Sequence, residues 1–140
     1  MATIKSNTDV SQSKTLSKIL PLESADMYYE KGIGDNYRID FGNYADIAIS
    51  KNLLHFDAIP CWSLTALFSV MPQINDWITP HGHKNDKLSQ FEPKICKMWE
   101  HSIMPSYKVT YDNGLSTDIY DNPVDACVNM ILKLHELGLL

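Results

Sequence analysis

The last twenty residues, DNPVDACVNMILKLHELGLL (residues 121–140), carry the signals that decide how this chain folds. Asn122 can cap the start of a helix, and Pro123 suits the first helical position because an N–H there needs no partner within the helix. Gly138 can adopt the left-handed conformation that ends a helix. Apolar residues recur between them at helical spacing: Val124, Cys127, Val128, Ile131 and Leu134. The pattern predicts an amphipathic helix at 122–138 that packs on a core.

A hairpin is predicted immediately before this helix, from YKVTY (107–111) and LSTDIY (115–120). The intervening loop, Asp112–Asn113–Gly114, offers a glycine where a three-residue hairpin loop needs a left-handed residue. In the resulting register the opposed pairs are Tyr111 with Leu115, Val109 with Thr117, Tyr107 with Ile119 and Lys108 with Asp118. Both faces of this pairing are chemically consistent, with an attractive charge pair on one of them.

Upstream, CWSLTALFSVMP predicts a second helix at about 62–72, with Ser63 as a possible N-cap and Pro72 as its end. YRIDF (37–41) alternates apolar and polar residues as a half-buried strand does, and YADIAIS (44–50) is its expected partner. Residues 94–99 can be a strand or part of a helix, and the strand is preferred. The predicted fold class is α+β: a small antiparallel sheet of short strands packed by two main helices, at about 62–72 and 122–138.

The N-terminal part of the chain shows weaker patterns. Residues 1–13 are rich in Ser, Thr, Asn, Gln and Lys without periodicity, which predicts a disordered polar tail. Further along, Ser24 could cap a short helical turn that contains Ala25, Met27 and Tyr28. With no repeat or linker evident, residues 14–140 are expected to form a single domain.

Composition narrows the classes of function. The chain of 140 residues has 12 basic and 17 acidic residues and a net charge of −5, so nonspecific nucleic-acid binding is disfavoured. No apolar stretch approaches the ~20 residues that span a bilayer, and the first residues lack the apolar core of a signal peptide. A cytoplasmic protein is therefore expected. Its three cysteines are expected to be reduced thiols that fill the core: Cys61, Cys96 and Cys127.

Three segments together show a resemblance: IPCWSLTALFSVMP (59–72), YKVTYDNG (107–114) and NPVDACVNMILKLHELGLL (122–140). The matching positions are Trp62, Ser63, Leu64, Leu67, Met71, Pro72, Tyr107, Val109, Tyr111, Pro123, Asp125, Ala126, Leu134 and Gly138. This combination resembles a group of small, uncharacterised proteins from prophage-like or mobile-element neighbourhoods of gut anaerobic bacteria. In that pattern a strand precedes the aromatic strand, which favours a strand at 94–99. The resemblance implies no activity and transfers no catalytic residue.

The best metal-like group of side chains is His81, His83, Cys96 and His101. Zinc takes three or four such ligands in a near-tetrahedral arrangement, and an HxH segment can offer two imidazoles. The spacing matches no established zinc motif, so solvent-exposed loop histidines are the simpler interpretation. A metal-binding module or metal-dependent enzyme is kept as the alternative function, with zinc as its cofactor.

Nucleophilic catalysis is a further possibility for two of the cysteines. Cys61 follows Pro60 near a helix start, where the helix dipole could lower the thiol pKa, whereas Cys127 lies on an apolar helix face where burial would raise it. A core role is the simpler interpretation for both.

The C-terminal helix also carries apolar residues off its main stripe, at Met130, Leu132 and Leu137. Either the rest of the domain covers this wide surface, or one edge is exposed and binds a protein partner or a second copy of the chain. The sequence thus favours a non-enzymatic accessory or interaction protein of a mobile element, acting through an apolar helix–sheet surface. No catalytic residue and no resident cofactor are predicted for that function.

Overall fold

The computed structural model describes residues 5–32, 36–44, 58–74, 91–99 and 103–140. In these ranges the elements are α1 (Val10–Leu16), a 3-10 helix (Leu22–Ser24), β1 (Met27–Lys31), β2 (Tyr37–Phe41), β3 (Ala58–Cys61), α2 (Leu64–Val70), β4 (Pro93–Met98), β5 (Ser106–Tyr111) and α3 (Pro123–Glu136). Helices and antiparallel strands are mixed, so the predicted α+β class is confirmed.

The chain forms two compact units where the sequence suggested one domain. The N-terminal unit is Ser6–Val70, and the C-terminal unit is Met71–Leu140 together with Met1–Lys5. Each unit has its own small sheet and one of the two predicted main helices.

In the N-terminal unit, β1 is the central strand of an antiparallel sheet with the order β2-β1-β3. Tyr29 lies opposite Ile39 on one side and Ile59 on the other. The core is built on buried Met27, Tyr29 and Cys61, and four partly buried residues pack against it: Val10, Tyr37, Ile39 and Ile59. Strand β2 was predicted with its bounds, but its last apolar residue, Phe41, is 82% exposed and does not join this core.

The predicted disordered tail is wrong for residues 5–13. Asp9 caps α1 through a capping box: its carboxylate accepts from the Gln12 N–H at 2.8 Å, and the Gln12 side-chain oxygen accepts from the Asp9 N–H at 3.1 Å. Thr8 and Ser13 are fully buried, and their hydroxyl oxygens lie 2.7 Å apart. Polar composition suggested disorder, but here the polar groups satisfy one another and the helix end.

The helical turn expected after Ser24 is also wrong. A short 3-10 helix ends there, and Met27, Tyr28 and Tyr29 begin strand β1, with all three side chains buried. A strand covered on both faces shows no alternation, so its pattern does not distinguish it from a helix. The expected partner strand at 44–50 lies almost wholly outside the described residues.

Helix α2 confirms the prediction at 62–72 with shorter bounds. The Ser63 hydroxyl oxygen accepts from the Ala66 N–H at 3.2 Å, which is the capping role expected of it. Leu67 of this helix is fully buried.

In the C-terminal unit, β4 and β5 pair antiparallel, which confirms the strand preferred at 94–99. The segment 115–120 runs along the other side of β5 but forms only isolated bridges. The predicted register holds near the loop, where the Tyr111 N–H donates to Leu115 at 2.8 Å and the Thr117 N–H to Val109 at 3.0 Å. It then shifts, because Tyr107 pairs with Tyr120 and not with Ile119.

The shift is an inserted residue in 115–120, a β-bulge, since two residues there oppose one on β5. As a result the predicted partnership of Tyr107 with Ile119 is lost, and Ile119 is 55% exposed. The expected attraction of Lys108 to Asp118 likewise gives no ion pair among the described residues. The Val109 N–H, at the bulge, is satisfied by the Thr117 hydroxyl at 3.0 Å.

Helix α3 begins and ends as predicted. The Asn122 side-chain oxygen accepts from the Asp125 N–H at 2.8 Å, and Pro123 occupies the first turn. At the other end Gly138 has φ 71°, and its N–H donates to His135 while that of Leu139 donates to Leu134, the bonds of a Schellman motif. The side chains of α3 that are buried are Val124, Ala126, Cys127, Val128, Met130, Ile131 and Leu134.

Replacing Gly138 by alanine should destabilise the protein through the backbone alone. A Cβ at Gly138 would meet no atom within 4 Å, so the cost is that of a non-glycine residue at φ 71°, about 1 kcal/mol in the free energy of unfolding. Urea unfolding followed by far-UV circular dichroism measures this change. Gly138→Asn is the matched control and should lose less, because asparagine tolerates the left-handed region; equal stability of all three proteins would contradict the assignment.

Candidate functional site

The thiol of Cys61 lies in a buried polar cluster of the N-terminal unit. Its sulfur accepts hydrogen bonds from the Asn7 amide and the Thr8 hydroxyl, each at 3.6 Å. The Tyr29 hydroxyl donates to the Thr8 carbonyl at 2.6 Å and accepts from Asn7 at 3.1 Å. These contacts join the segment before α1 to β1 and β3, so the cluster is structural.

Burial makes two of the cysteines poor nucleophiles. It raises the pKa of the Cys61 thiol, against the lowering that a helix start could have produced, and hydrogen bonds from neighbouring side chains offset this only in part. Burial also raises the pKa of Cys127 to about 12. Both side chains are fully buried, as the core interpretation predicted. A thiolate, the reactive form, is therefore disfavoured at both positions near neutral pH.

The predicted metal ligands are not tested by the structure. His81, His83 and His101 lie outside the described residues, and Cys96 lies in β4 with its sulfur 3.7 Å from the Thr110 hydroxyl. Within the ranges that are described, no three His, Cys, Asp or Glu side chains are grouped as metal ligands would be. The zinc site stays a prediction.

The wide apolar surface of α3 is mostly covered. Met130 is fully buried, so its assignment to an exposed interaction surface is wrong, while Leu132 is partly buried. Leu137 alone of the three proposed residues is strongly exposed, at 50%. The helix thus fits the alternative in which the protein's own residues cover most of it.

The hydrogen bonds of β5 determine which backbone groups of β4 point toward β5 and which point away from it. Backbone groups of three alternate residues of β5 form hydrogen bonds with segment 115–120: Tyr107, Val109 and Tyr111. Because backbone groups alternate sides along a strand, the intervening residues of β5 bond to β4. Their register partners on β4 are Lys94, Cys96 and Met98.

It follows that Pro93, Ile95 and Lys97 direct their backbone groups away from β5. Phe91, two residues before β4 on the same side, pairs with Ile74, but along β4 itself no strand of the described residues bonds to this outer edge. Pro93 has no N–H, so the edge offers the N–H groups of Ile95 and Lys97 with the carbonyls beside them. We call the outward backbone groups of Ile95 and Lys97 the open edge.

Side chains around the open edge leave it accessible and partly apolar. The Lys94 ammonium bonds to Asp112 at 2.6 Å, and that of Lys97 lies 5.1 Å from the centroid of the Trp99 ring. Trp99, which directly follows β4, is 60% exposed. Exposed indole surface close to backbone groups that have no partner strand among the described residues is suited to binding another chain.

Such an edge can add a further strand. An extended segment that lies antiparallel to β4 would exchange backbone hydrogen bonds with Ile95 and Lys97, and its alternate side chains would contact Trp99 and its neighbours. The sequence predicts strand β4 but does not indicate that its outer edge is a candidate binding site. Which strand of a sheet is outermost depends on strand order, and the alternation that indicates a strand does not carry that information.

A comparison with protein-family models, with curated proteins and with solved structures gave no match. None of the helices in the described ranges has both the length and the apolar character needed to cross a bilayer. Function must therefore be inferred from the chemistry of the chain itself.

Thiol labelling tests the burial of the cysteines. On native protein at pH 8 and low concentration, a thiol reagent should modify Cys96 quickly, because its side chain is only partly buried, and Cys61 and Cys127 only at the rate of unfolding. Mass spectrometry of digests assigns the modified sites, and labelling in urea serves as the control in which all three react. Rapid labelling of Cys61 in the native state would contradict its structural role.

The zinc prediction has a direct test in the metal content of the purified protein. A site built on His81, His83, Cys96 and His101 predicts one retained zinc ion, lost in the His81→Ala, His83→Ala double variant while the circular dichroism spectrum is unchanged. Native mass spectrometry reads both masses. Protein without metal after incubation with zinc would reject the site.

Proposed function

We propose that this protein is a non-enzymatic interaction protein that binds another polypeptide by adding an extended strand to the open edge of β4. The observation that supports the proposal is the outward direction of the Ile95 and Lys97 backbone groups, with no strand of the described residues bonded to them. Strand addition needs these groups and little else, since main-chain hydrogen bonds supply much of the affinity.

The surroundings of the edge favour a specific partner over indiscriminate aggregation. Proteins protect exposed edges with short strands, proline and lysine, and β4 has six residues, starts at Pro93 and carries Lys94 and Lys97. At the end of the strand, Trp99 exposes apolar surface that a bound segment can cover. Backbone pairing would be sequence-tolerant, and this side chain would select the partner.

Two further parts of the proposal come from the sequence. An origin in a prophage or mobile element depends on the resemblance of residues 58–140 alone. A cytoplasmic location agrees with three free cysteines, which a reducing compartment preserves. A polypeptide partner is preferred to nucleic acid because the net charge is −5.

Substitutions at Lys97 can separate the contribution of its backbone N–H to binding from the contribution of its side chain. Lys97→Pro removes the outward N–H and places a ring on the edge, yet breaks no bond to β5, because that N–H points away from it. Lys97→Ala removes the ammonium and keeps the N–H. Peptides selected from a displayed random library against the wild-type protein should bind Lys97→Pro about tenfold more weakly or worse, and Lys97→Ala nearly normally.

Amide exchange gives an independent measurement on the unaltered chain. The N–H groups of Ile95 and Lys97 should exchange quickly in the free monomer, measured at low concentration, and become protected when a selected peptide binds, whereas inward-facing Cys96 is protected in both states. Equal binding by wild type and Lys97→Pro, with no protection at Ile95 or Lys97, would reject the open edge as the binding site.

A further inference from the structure

We infer that the strand which occupies the open edge is β4 of a second copy of this chain, paired antiparallel about a two-fold axis at Cys96. This inference rests on the proposed function, since it names the partner of the same edge. It predicts a symmetric dimer in which the two β4–β5 hairpins form one continuous sheet.

Backbone geometry limits the registers that such a dimer can use. Outward residues must meet outward residues, because only these have unused N–H and C=O groups on that side. Centring on Cys96 sets Ile95 of each copy against Lys97 of the other, and each such pair exchanges two hydrogen bonds. The continuation of the strand then sets the Trp99 N–H against the Pro93 carbonyl, so the donor that proline lacks falls at the end of the ladder.

The neighbouring registers are chemically worse. Centring on Lys97 sets that residue against itself, and like charges directly opposite destabilise a strand pair. Centring on Ile95 brings Trp99 opposite Phe91, whose N–H and C=O are already bonded to Ile74 at 2.7 and 2.9 Å. In the Cys96 register neither conflict falls between Pro93 and Trp99, and the pairing would end there because Phe91 on the same edge is bonded to Ile74.

The side chains of β4 complement themselves in this register. Lys97 lies opposite Ile95, and Lys94 lies opposite Met98, so no lysine meets a lysine. Each ammonium already has a partner in its own chain, Asp112 for Lys94 and the Trp99 ring for Lys97. The indole of Trp99, 60% exposed in the single chain, would pack beside Pro93 of the second copy and lose much of that exposure.

This register places Cys96 of one copy directly opposite Cys96 of the other. The two residues would form a pair without mutual hydrogen bonds, with Cα atoms about 4.5 Å apart, inside the range that a disulfide spans. The thiols need not be joined in the cell. They provide a reporter, because an added oxidant can link them only where the two copies meet.

The test is oxidation of the full-length protein with diamide, which takes up the two electrons and two protons that a pair of thiols releases on forming a disulfide. A covalent dimer linked through Cys96 should form rapidly and to high yield, as read by non-reducing gel and by mass spectrometry of the linked peptide. Lys94→Cys/Cys96→Ala is the matched control. Its cysteine lies on the same face, but the two copies of it would be about 13 Å apart, so it should cross-link at least tenfold more slowly.

Sedimentation velocity over a range of concentrations completes the experiment. Wild type and Lys97→Ala should sediment as a reversible dimer, and Lys97→Pro as a monomer with an unchanged circular dichroism spectrum. Equal cross-linking at positions 94 and 96, or a monomer throughout, overturns the second copy as partner. If a monomeric protein still binds selected peptides and loses them in Lys97→Pro, the open edge stands as a binding site and its occupant is a different chain.

Discussion

Strand β5 uses its backbone on both sides, and the organisation of the C-terminal unit depends on that constraint. One set of alternate residues bonds to segment 115–120 and the other set pairs with β4. With both sides of β5 occupied, β4 is the outer strand among the described residues, and the backbone groups of Ile95 and Lys97 point away from β5. The candidate site is thus a consequence of hydrogen-bond alternation in a neighbouring strand, and no unusual side chain is needed to create it.

In the N-terminal unit, the polar groups of the interior are also paired by hydrogen bonds. Thr8 and Ser13 are fully buried among hydroxyl, amide and thiol groups, and the Cys61 sulfur takes part as a weak acceptor. Buried polar groups of this kind are tolerated because each finds a partner. The cysteine that looked most like a nucleophile in the sequence therefore belongs to the interior, where a raised pKa suppresses its reactivity.

Local signals in the sequence were sufficient wherever a single residue type determines local backbone geometry. Asn122, Ser63 and Gly138 mark helix ends because capping chemistry acts within one turn, and Gly114 marks a hairpin loop, with φ 97°. Features set by distant contacts were not predictable in this way. Strand β1 shows no alternation of apolar and polar residues. The Asp9 capping box lies in a segment whose polar composition predicted disorder. The open edge depends on the order of strands in the sheet. The bulge opposite Val109 needed one inserted residue that no local pattern specified.

That bulge limits how far a sheet could grow from this chain. A sheet whose two outer strands can both pair with further strands can grow without limit, as in fibrils. Segment 115–120 forms isolated bridges only, and its inserted residue interrupts the regular spacing that a further strand would have to match. This irregular spacing disfavours regular pairing on this side. Under the proposed pairing at β4, one edge of the sheet would be used and the irregular edge would be left, so the sheet would grow by a single addition.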